Sequence, residues 1–184
     1  MILTIVIVAV IVAMVVWAIA TYNSLVALRN RVEEAWAQID VQLRLRYDLI
    51  PNLVETVKGY ASHERETLDA VVRARQSAVD ASGGVEGQAA AENVLTGALR
   101  QLFALSEAYP DLKANTNFAD LQDKLSGVEA KIAYARQFYN DTVRRINDKI
   151  QKFPSLMIAG AMNLEKREYF EVEGDARGPV SVQF

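Results

Sequence analysis

The residue types that most often perform enzyme chemistry are scarce in this chain. Its one histidine, His63, precedes Glu64 in the string SHERET, and cysteine is absent. A helical zinc-protease motif needs H-E-x-x-H, but the position four after His63 is Thr67. Di-metal sites in four-helix bundles use Glu-x-x-His pairs, which this sequence also lacks. We therefore predict no catalytic residue, no metal site and no cofactor.

Two alternatives bear on that prediction. The glycine-rich stretch at residues 82–87, SGGVEG, lacks the lysine and the strand context of a phosphate-binding loop. A hydrolase centred on His63 and Glu64 is the remaining enzymatic alternative, because His63 is the sole histidine that could serve as a base.

Polar residues on helical stretches are the other candidates for a site. Six of them stand out: Arg44, Arg46, Glu107, Glu129, Arg136 and Asn140. One interpretation is that they form solvated faces and ordinary ion pairs, each worth little. A second is that they form hydrogen-bonded pairs that fix the register of the helices. A third is a ligand pocket built from them.

The elements that position these residues begin with an apolar run. Residues 2–20 contain no charged side chain, and Thr4 carries their single hydroxyl. A helix needs roughly 20 apolar residues to cross a hydrocarbon core of about 30 Å. Trp17 and Tyr22 stand where aromatic rings favour the membrane–water interface. We therefore predict that residues 1–21 are a transmembrane anchor in contact with the lipid bilayer.

A cleaved signal peptide is the competing interpretation of this run, because Ala18-Ile19-Ala20 could be a peptidase site. Against it, no Lys or Arg precedes the run, which is also longer than the roughly 7–15 residues of a signal h-region. The residues that follow continue without Pro or Gly as far as position 50. A retained anchor is favoured.

Charge near the anchor predicts its orientation. The N-terminal side offers only the α-amino group, whereas Arg29 and Arg31, and then Arg44 and Arg46, follow the run. The positive-inside rule places the arginine side in the cytoplasm. We expect a single-pass protein of the bacterial inner membrane with its N-terminus outside and its domain cytoplasmic.

Size and composition describe one folded domain beyond the anchor. Of the 184 residues, removing the anchor leaves about 160, a normal domain size. The chain is 51% hydrophobic, which excludes a disordered protein. Its net charge of −3 gives no reason to expect nucleic acid as a partner.

Apolar residues recur every three to four positions after the anchor, which predicts amphipathic helices. The first runs from Tyr22 to a break near Asp48, since Asp48 is a good cap and Pro51 is tolerated in a first turn. The second then begins at about Leu49 and fades after Val79. One continuous helix with a kink at Pro51 is the alternative.

Two more helices follow the predicted glycine-rich loop at residues 82–87. The third covers residues 94–105 and is stopped by Pro110. Asn117 is the expected cap of the fourth, whose apolar stripe runs over residues 118–153. Four helices with short connections predict an all-α fold, an antiparallel up-and-down four-helix bundle with long helices, over residues 22–164.

The end of the chain differs in kind from the helices. Residues 155–164, SLMIAGAMNL, predict a short helix or an apolar patch against the bundle. Residues 165–184 predict an extended tail, since apolar residues alternate at Val180, Val182 and Phe184. This tail is either loose or adds to a groove or sheet edge of a partner or neighbouring protomer.

Several long strings are similar to those of the LemA family of bacterial membrane proteins. They are YNSLVALRN at residues 22–30, AQIDVQLRLRYDLIPNLVETVKGYASHE at 37–64, EAYPDLKANTNFADLQ at 107–122, ARQFYND at 135–141, and the ending PVSVQF. The resemblance implies an N-terminal single-pass anchor, N-terminus outside, and a cytoplasmic four-helix bundle. It implies no catalytic residue, cofactor or substrate.

Two functional hypotheses follow. The first is a non-enzymatic, membrane-anchored helical scaffold that forms a homo-oligomer or recruits partners. The second is an adaptor or regulatory subunit of a membrane protease, transporter or signalling complex, with a membrane protein as its partner.

Overall fold

A computed structural model describes residues 1–171, and these residues form an all-α fold. The helices in chain order are α1 (Ile2–Lys58), α2 (Arg65–Val79), α3 (Gly84–Ser106), α4 (Pro110–Lys113), α5 (Thr116–Gln151) and α6 (Ser155–Ala161). No strand occurs among the residues described. The all-α prediction is confirmed.

Helix α1 passes through Pro51 without a break. The predicted end near Asp48 and new helix at Leu49 are wrong, and the alternative of one continuous helix is right. Pro51 has no N–H to give the carbonyl of Tyr47, one turn earlier. Arg75 Nε donates to that carbonyl at 2.8 Å instead. A side chain from α2 thus replaces the hydrogen bond that the proline removes.

The break that the sequence analysis missed lies at residues 59–64, between α1 and α2. Gly59 follows the last helical residue, in a stretch that also contains serine. Two contacts fix this connection: Tyr109 Oη donates to Glu64 Oε1 at 3.0 Å, and Asn115 Nδ2 donates to Tyr60 Oη at 2.9 Å. The single helix predicted over residues 49–79 is therefore the end of α1 followed by α2.

The glycine-rich loop is shorter than predicted, because α3 begins inside it at Gly84. Positive φ angles occur at Gly83 (136°) and Gly84 (72°), where a side chain would be strained. The remaining glycine of the stretch, Gly87, is in the first turn of α3, where no such freedom is needed.

Helix α5 confirms the long fourth helix, with 36 residues and a length of about 54 Å. Its cap differs from the prediction. Phe118 N donates to Asn115 Oδ1 at 2.9 Å, so Asn115 rather than Asn117 caps the helix. Asn115 lies between α4 and α5, immediately before the first residue of α5, whereas Asn117 is the second residue of α5.

Two compact units divide the described chain, and α1 and α5 contribute to both. The first comprises residues 1–40 and 134–169. Within it α1 and α5 are antiparallel: the rings of Trp36 and Tyr139 are 5.6 Å apart, and Lys149 Nζ donates to Ser24 Oγ. Its core side chains are Leu25, Val32, Ala35, Ile39, Ala135, Tyr139, Val143, Ile146 and Ala159.

Among the described residues, the second unit comprises residues 41–133 and 170–171. Segments of α1, α2, α3, α4 and α5 supply its core, α4 through Leu112. Core side chains include Leu43, Ile50, Leu53, Val57, Leu68, Val71, Leu95, Leu99, Leu102, Phe118, Leu125 and Ile132. The apolar stripes of the sequence mark these faces.

The N-terminal part of α1 does not pack against the rest of the described chain, since almost every side chain of residues 1–20 is exposed. Among the helices of residues 1–171, α1 is the one long and apolar enough to cross a membrane, by length and composition. Its apolar run continues directly into the segment that packs against α5.

The short helix predicted after Pro154 is confirmed as α6. Residues 165–171 form neither helix nor strand. Asn147 holds them to α5, accepting from Arg167 N at 2.8 Å and donating to Arg167 O at 2.9 Å. The predicted alternation at Val180, Val182 and Phe184 lies outside the described residues.

Candidate functional site, a buried polar network

Arg46 is a charged residue inside the second unit, with 2% of its surface exposed. It occupies an apolar-face position of α1. Its Nη1 donates to Glu92 Oε2 at 3.1 Å, and its Nη2 donates to Thr96 Oγ1 at 2.8 Å. Its Nε lies 3.1 Å from Glu129 Oε1 as a charge–charge contact without hydrogen-bond geometry. Two helices besides α1 therefore compensate the buried guanidinium.

Glu92 is buried on α3 and uses both carboxylate oxygens. While Oε2 accepts from Arg46, Oε1 accepts from the hydroxyl of Tyr47 and from Gln88 Nε2, the latter at 3.1 Å. Burial raises the pKa of the Tyr47 hydroxyl well above its ordinary value, and the hydrogen bond to Glu92 raises it further. Tyr47 therefore remains a neutral donor.

Tyr47 and Gln88 also provide hydrogen-bond donors for the C-terminus of α2. The last four carbonyls of a helix lack partners within it, and Ala78 is in that turn. Gln88 Nε2 donates to Ala78 O at 3.1 Å, and the Tyr47 hydroxyl lies 3.4 Å from the same oxygen. One cluster thus links α1, the C-terminus of α2, and α3.

We call this cluster the Arg46 network. Its members are Arg46, Tyr47, Gln88, Glu92, Thr96 and Glu129. Its chemistry is that of a buried ion pair surrounded by hydrogen bonds. It offers no activated nucleophile, and the described part of the chain contains no group of three or more His, Asp or Glu residues placed to hold a metal ion. The arrangement fixes the register of α1, α3 and α5.

A groove of about 390 Å³ borders the network in the second unit. Its sides come from α3 and α5, and Thr96 and Glu129 belong both to its lining and to the network. The remaining lining residues are Leu99, Arg100, Phe103, Gln122, Leu125 and Ser126. The groove thus has an apolar floor and a polar rim that includes the exposed cation of Arg100.

The enzymatic candidates from the sequence are not brought together as a site. His63 is exposed in the connection between α1 and α2. Its neighbour Glu64 accepts a hydrogen bond from Tyr109 at 3.0 Å. That hydrogen bond is the largest cause of a raised pKa at the Tyr109 hydroxyl. This geometry gives Glu64 a role in holding a turn.

The six polar candidates have different fates. Arg46 and Glu129 meet in the network as an ion pair without hydrogen-bond geometry. Arg44 is exposed, and Glu107 forms a surface ion pair with Lys113 at 2.5 Å. Arg136 and Asn140 are half-buried on α5, each interacting with another residue.

Glu92 is the main residue that the sequence analysis missed. It lies three residues after Ala89 and three before Leu95, on the buried face of α3. A buried carboxylate needs a cation beside it. Arg46 is likewise a charged residue on an apolar helix face, between Leu43 and Ile50 of α1. Matching these two buried charges of opposite sign would have predicted the ion pair.

Comparison with known families identifies one that covers most of the chain. The model described as "LemA family" matches residues 35–184, most of the chain, and that range contains every member of the Arg46 network. The chain belongs to the LemA family. The resemblance inferred from the strings is confirmed.

Curated relatives extend the assignment. A Protein LemA of Metamycoplasma hominis is 26% identical over 153 residues, covering 81% of this chain and 68% of that protein. Magnetosome protein MamQ 2 of Paramagnetospirillum magneticum is 22% identical, covering 92% of this chain and 72% of its own length. Magnetosome protein MamQ of Magnetospirillum gryphiswaldense is 23% identical, with coverages of 92% and 71%. This chain is thus a helical LemA-family protein whose N-terminal helix is apolar and long enough to span a membrane.

Proposed function

We propose that this LemA-family chain is a non-enzymatic, membrane-anchored helical scaffold that assembles with copies of itself. The observation that carries the proposal is the continuity of α1. One helix contains the apolar run of residues 2–20 and also core residues of both units, such as Leu25 and Val57. A uniform helix of 57 residues couples an anchor mechanically to a folded core.

The Arg46 network supports a structural role. Its buried polar groups form hydrogen bonds with one another, which supports a role in stabilising the helix arrangement over one in binding a substrate. The family relatives include proteins named for the magnetosome and one named LemA. A helical module shared among differently named proteins fits a structural part better than one dedicated reaction.

Two surfaces are candidates for self-assembly. Along the anchor, small and β-branched side chains would allow close helix contact, although the run has no G-x-x-x-G. These are Val8, Ala9, Val12, Ala13 and Val16. The alternating end of the chain, residues 180–184, would add as an extended strand to a neighbouring protomer.

The particle mass of the full-length protein in mild detergent tests self-assembly. Native mass spectrometry should give one discrete homo-oligomer, and a monomer would refute the scaffold. Deleting residues 172–184 should lower the number of protomers per particle while leaving the Arg167–Asn147 hydrogen bonds in place. An unchanged number of protomers in that deletion would show that assembly does not need these residues.

The proposed location is the bacterial inner membrane, with the N-terminus outside and the domain in the cytoplasm. Four arginines after the apolar run support this orientation. The chain has no cysteine, so His63→Cys creates one exposed thiol. A membrane-impermeant maleimide should label it only after cells are lysed. Labelling in intact cells would reverse the topology.

The groove between α3 and α5 favours a second function, that of an adaptor for a membrane protease, transporter or signalling complex. Its apolar floor at Leu99, Phe103 and Leu125 is suited to a partner segment. The mass measurement separates the two functions, because an adaptor would appear as a monomer or with one co-purifying protein. Arg100→Glu, at an exposed position on the rim of the groove, should then remove that protein without affecting a homo-oligomer.

A further inference from the structure

Large apolar side chains are exposed where α5 turns into α6. Phe153 is 79% exposed, Met157 is 67% exposed and Leu156 is 49% exposed. Another part of α6 is packed, since Ala159 is fully buried. We call these three exposed residues the 153–157 patch. Clustered exposed apolar side chains mark a surface that meets something other than water.

The register of α1 against α5 sets the level of this patch within the first unit. Three contacts define an antiparallel pairing: Trp36 with Tyr139, Arg31 over Phe138, and Ser24 with Lys149. As α5 proceeds toward its end, it therefore approaches the apolar run of α1.

Extending that pairing to the end of α5 places the patch. Gln151, the last residue of α5, is two residues after Lys149, and Tyr22 is two residues before Ser24. At 1.5 Å per residue both steps are about 3 Å along the helix axes. The end of α5 thus reaches the level of Tyr22, two residues after the apolar run, and Phe153 follows two residues beyond that end.

The side chains at this level suit the boundary between lipid and water. Trp17 and Tyr22 of α1 are 40% and 49% exposed, as aromatic rings at an interface are. Lys152 is also exposed and lies next to Phe153, with its ammonium 2.8 Å from Asp148 Oδ2. A lysine stem can lie along apolar surface while its charge stays at the headgroups.

We infer that the 153–157 patch inserts into the interfacial layer of the bilayer and gives the folded domain a second membrane contact beside its anchor. This inference rests on the proposed membrane anchoring. Lipid is the occupant because the patch continues the exposed apolar surface of α1 at the level where the apolar run ends. Its aromatic, thioether and leucine side chains beside a lysine match an interfacial segment.

Single cysteines on the full-length chain test the inference, since the natural sequence has none. Phe153→Cys and Met157→Cys probe the patch, and both positions are exposed enough to change without disturbing a core. Val12→Cys probes the anchor. Tyr134→Cys is the matched control, because Tyr134 is 74% exposed in the same unit and about 25 Å along the helix axis from the end of α5.

Each variant carries a polarity-sensitive fluorophore and is placed in nanodiscs with and without brominated lipid. We expect strong quenching at position 12, quenching at 153 and 157 several-fold above that at 134, and blue-shifted emission at both patch positions. Quenching at 12 without quenching at 153 or 157 would overturn the inference and leave the anchor intact.

Two other outcomes would also overturn it. Absence of quenching at position 12 would remove the membrane anchor itself, and with it the proposed function. Disulfide formation on oxidation of unlabelled Met157→Cys chains, together with no quenching of the labelled chains by brominated lipid, would make the patch a contact between protomers.

Discussion

Replacing Arg46 by methionine should be among the most destabilising single substitutions in this chain. Arg46 is 2% exposed and is held by Glu92 and Glu129, each 3.1 Å away. Its removal leaves the carboxylate of Glu92 buried with no cation, which costs about 3–5 kcal/mol of the free energy of unfolding. The control is Arg29→Met, which breaks an exposed pair with Glu33 at 3.9 Å and should cost at most about 1 kcal/mol.

A double substitution separates the ion pair from the general cost of changing a core. Glu92→Met added to Arg46→Met removes the stranded charge, so the double variant should be more stable than Arg46→Met alone. A residual loss of about 1–3 kcal/mol should remain, because Tyr47 and Gln88 lose their acceptor. Guanidinium unfolding in mild detergent, followed by near-UV circular dichroism, gives these free energies. Additive costs, or an Arg46→Met no worse than Arg29→Met, would refute the reasoning.

Three further predictions concern neighbouring contacts. Arg75→Leu should lower the free energy of unfolding by about 1–3 kcal/mol, because it leaves the Tyr47 carbonyl unpaired. The loss should be much smaller in a Pro51→Ala background, where residue 51 regains an N–H for that carbonyl. Equal losses in the two backgrounds would contradict this prediction. Asn115→Ala should lower the free energy of unfolding by about 1 kcal/mol while Asn117→Ala changes it little, and the reverse order would contradict the cap. The raised pKa keeps the Tyr47 hydroxyl protonated in the folded chain, so above about pH 10 the unfolded chain loses this proton first. The free energy of unfolding should therefore fall by up to about 1.4 kcal/mol per pH unit. Tyr47→Phe should show a shallower fall, and an unchanged slope would contradict this prediction.

Periodicity predicted the fold well where one face of a helix packs throughout its length. Helix α5 is the clearest case, since its stripe over residues 118–153 became a helix over Thr116–Gln151. The same reasoning failed at Pro51, where it predicted a helix break that does not occur. The effect of a proline on a helix depends on whether another group donates to the carbonyl one turn earlier. Here the donor to the Tyr47 carbonyl is Arg75, 28 residues away in the sequence. Local rules cannot supply a partner that only tertiary packing brings near.

The candidate site was predictable in part for a related reason. Arg46 and Glu129 were recognisable as polar residues on helices, but the sequence did not show that they are partners. Glu92 shows the limit, because its neighbours on α3 identify an anomaly but not its partner. With several charged residues available, the choice of Arg46 depends on the register of α1 against α3, which no single stretch encodes.

The continuity of α1 also fixes an angular relation. Each residue of an α-helix turns the side-chain direction by about 100° and advances it by about 1.5 Å. Because one helix joins the apolar run to Leu25 without a break, each face of the run keeps a fixed rotation relative to the face that packs against α5. One residue inserted near position 22 would rotate one face against the other by about 100°, whereas seven would nearly restore the phase. The length of this junction therefore encodes an orientation as well as a distance.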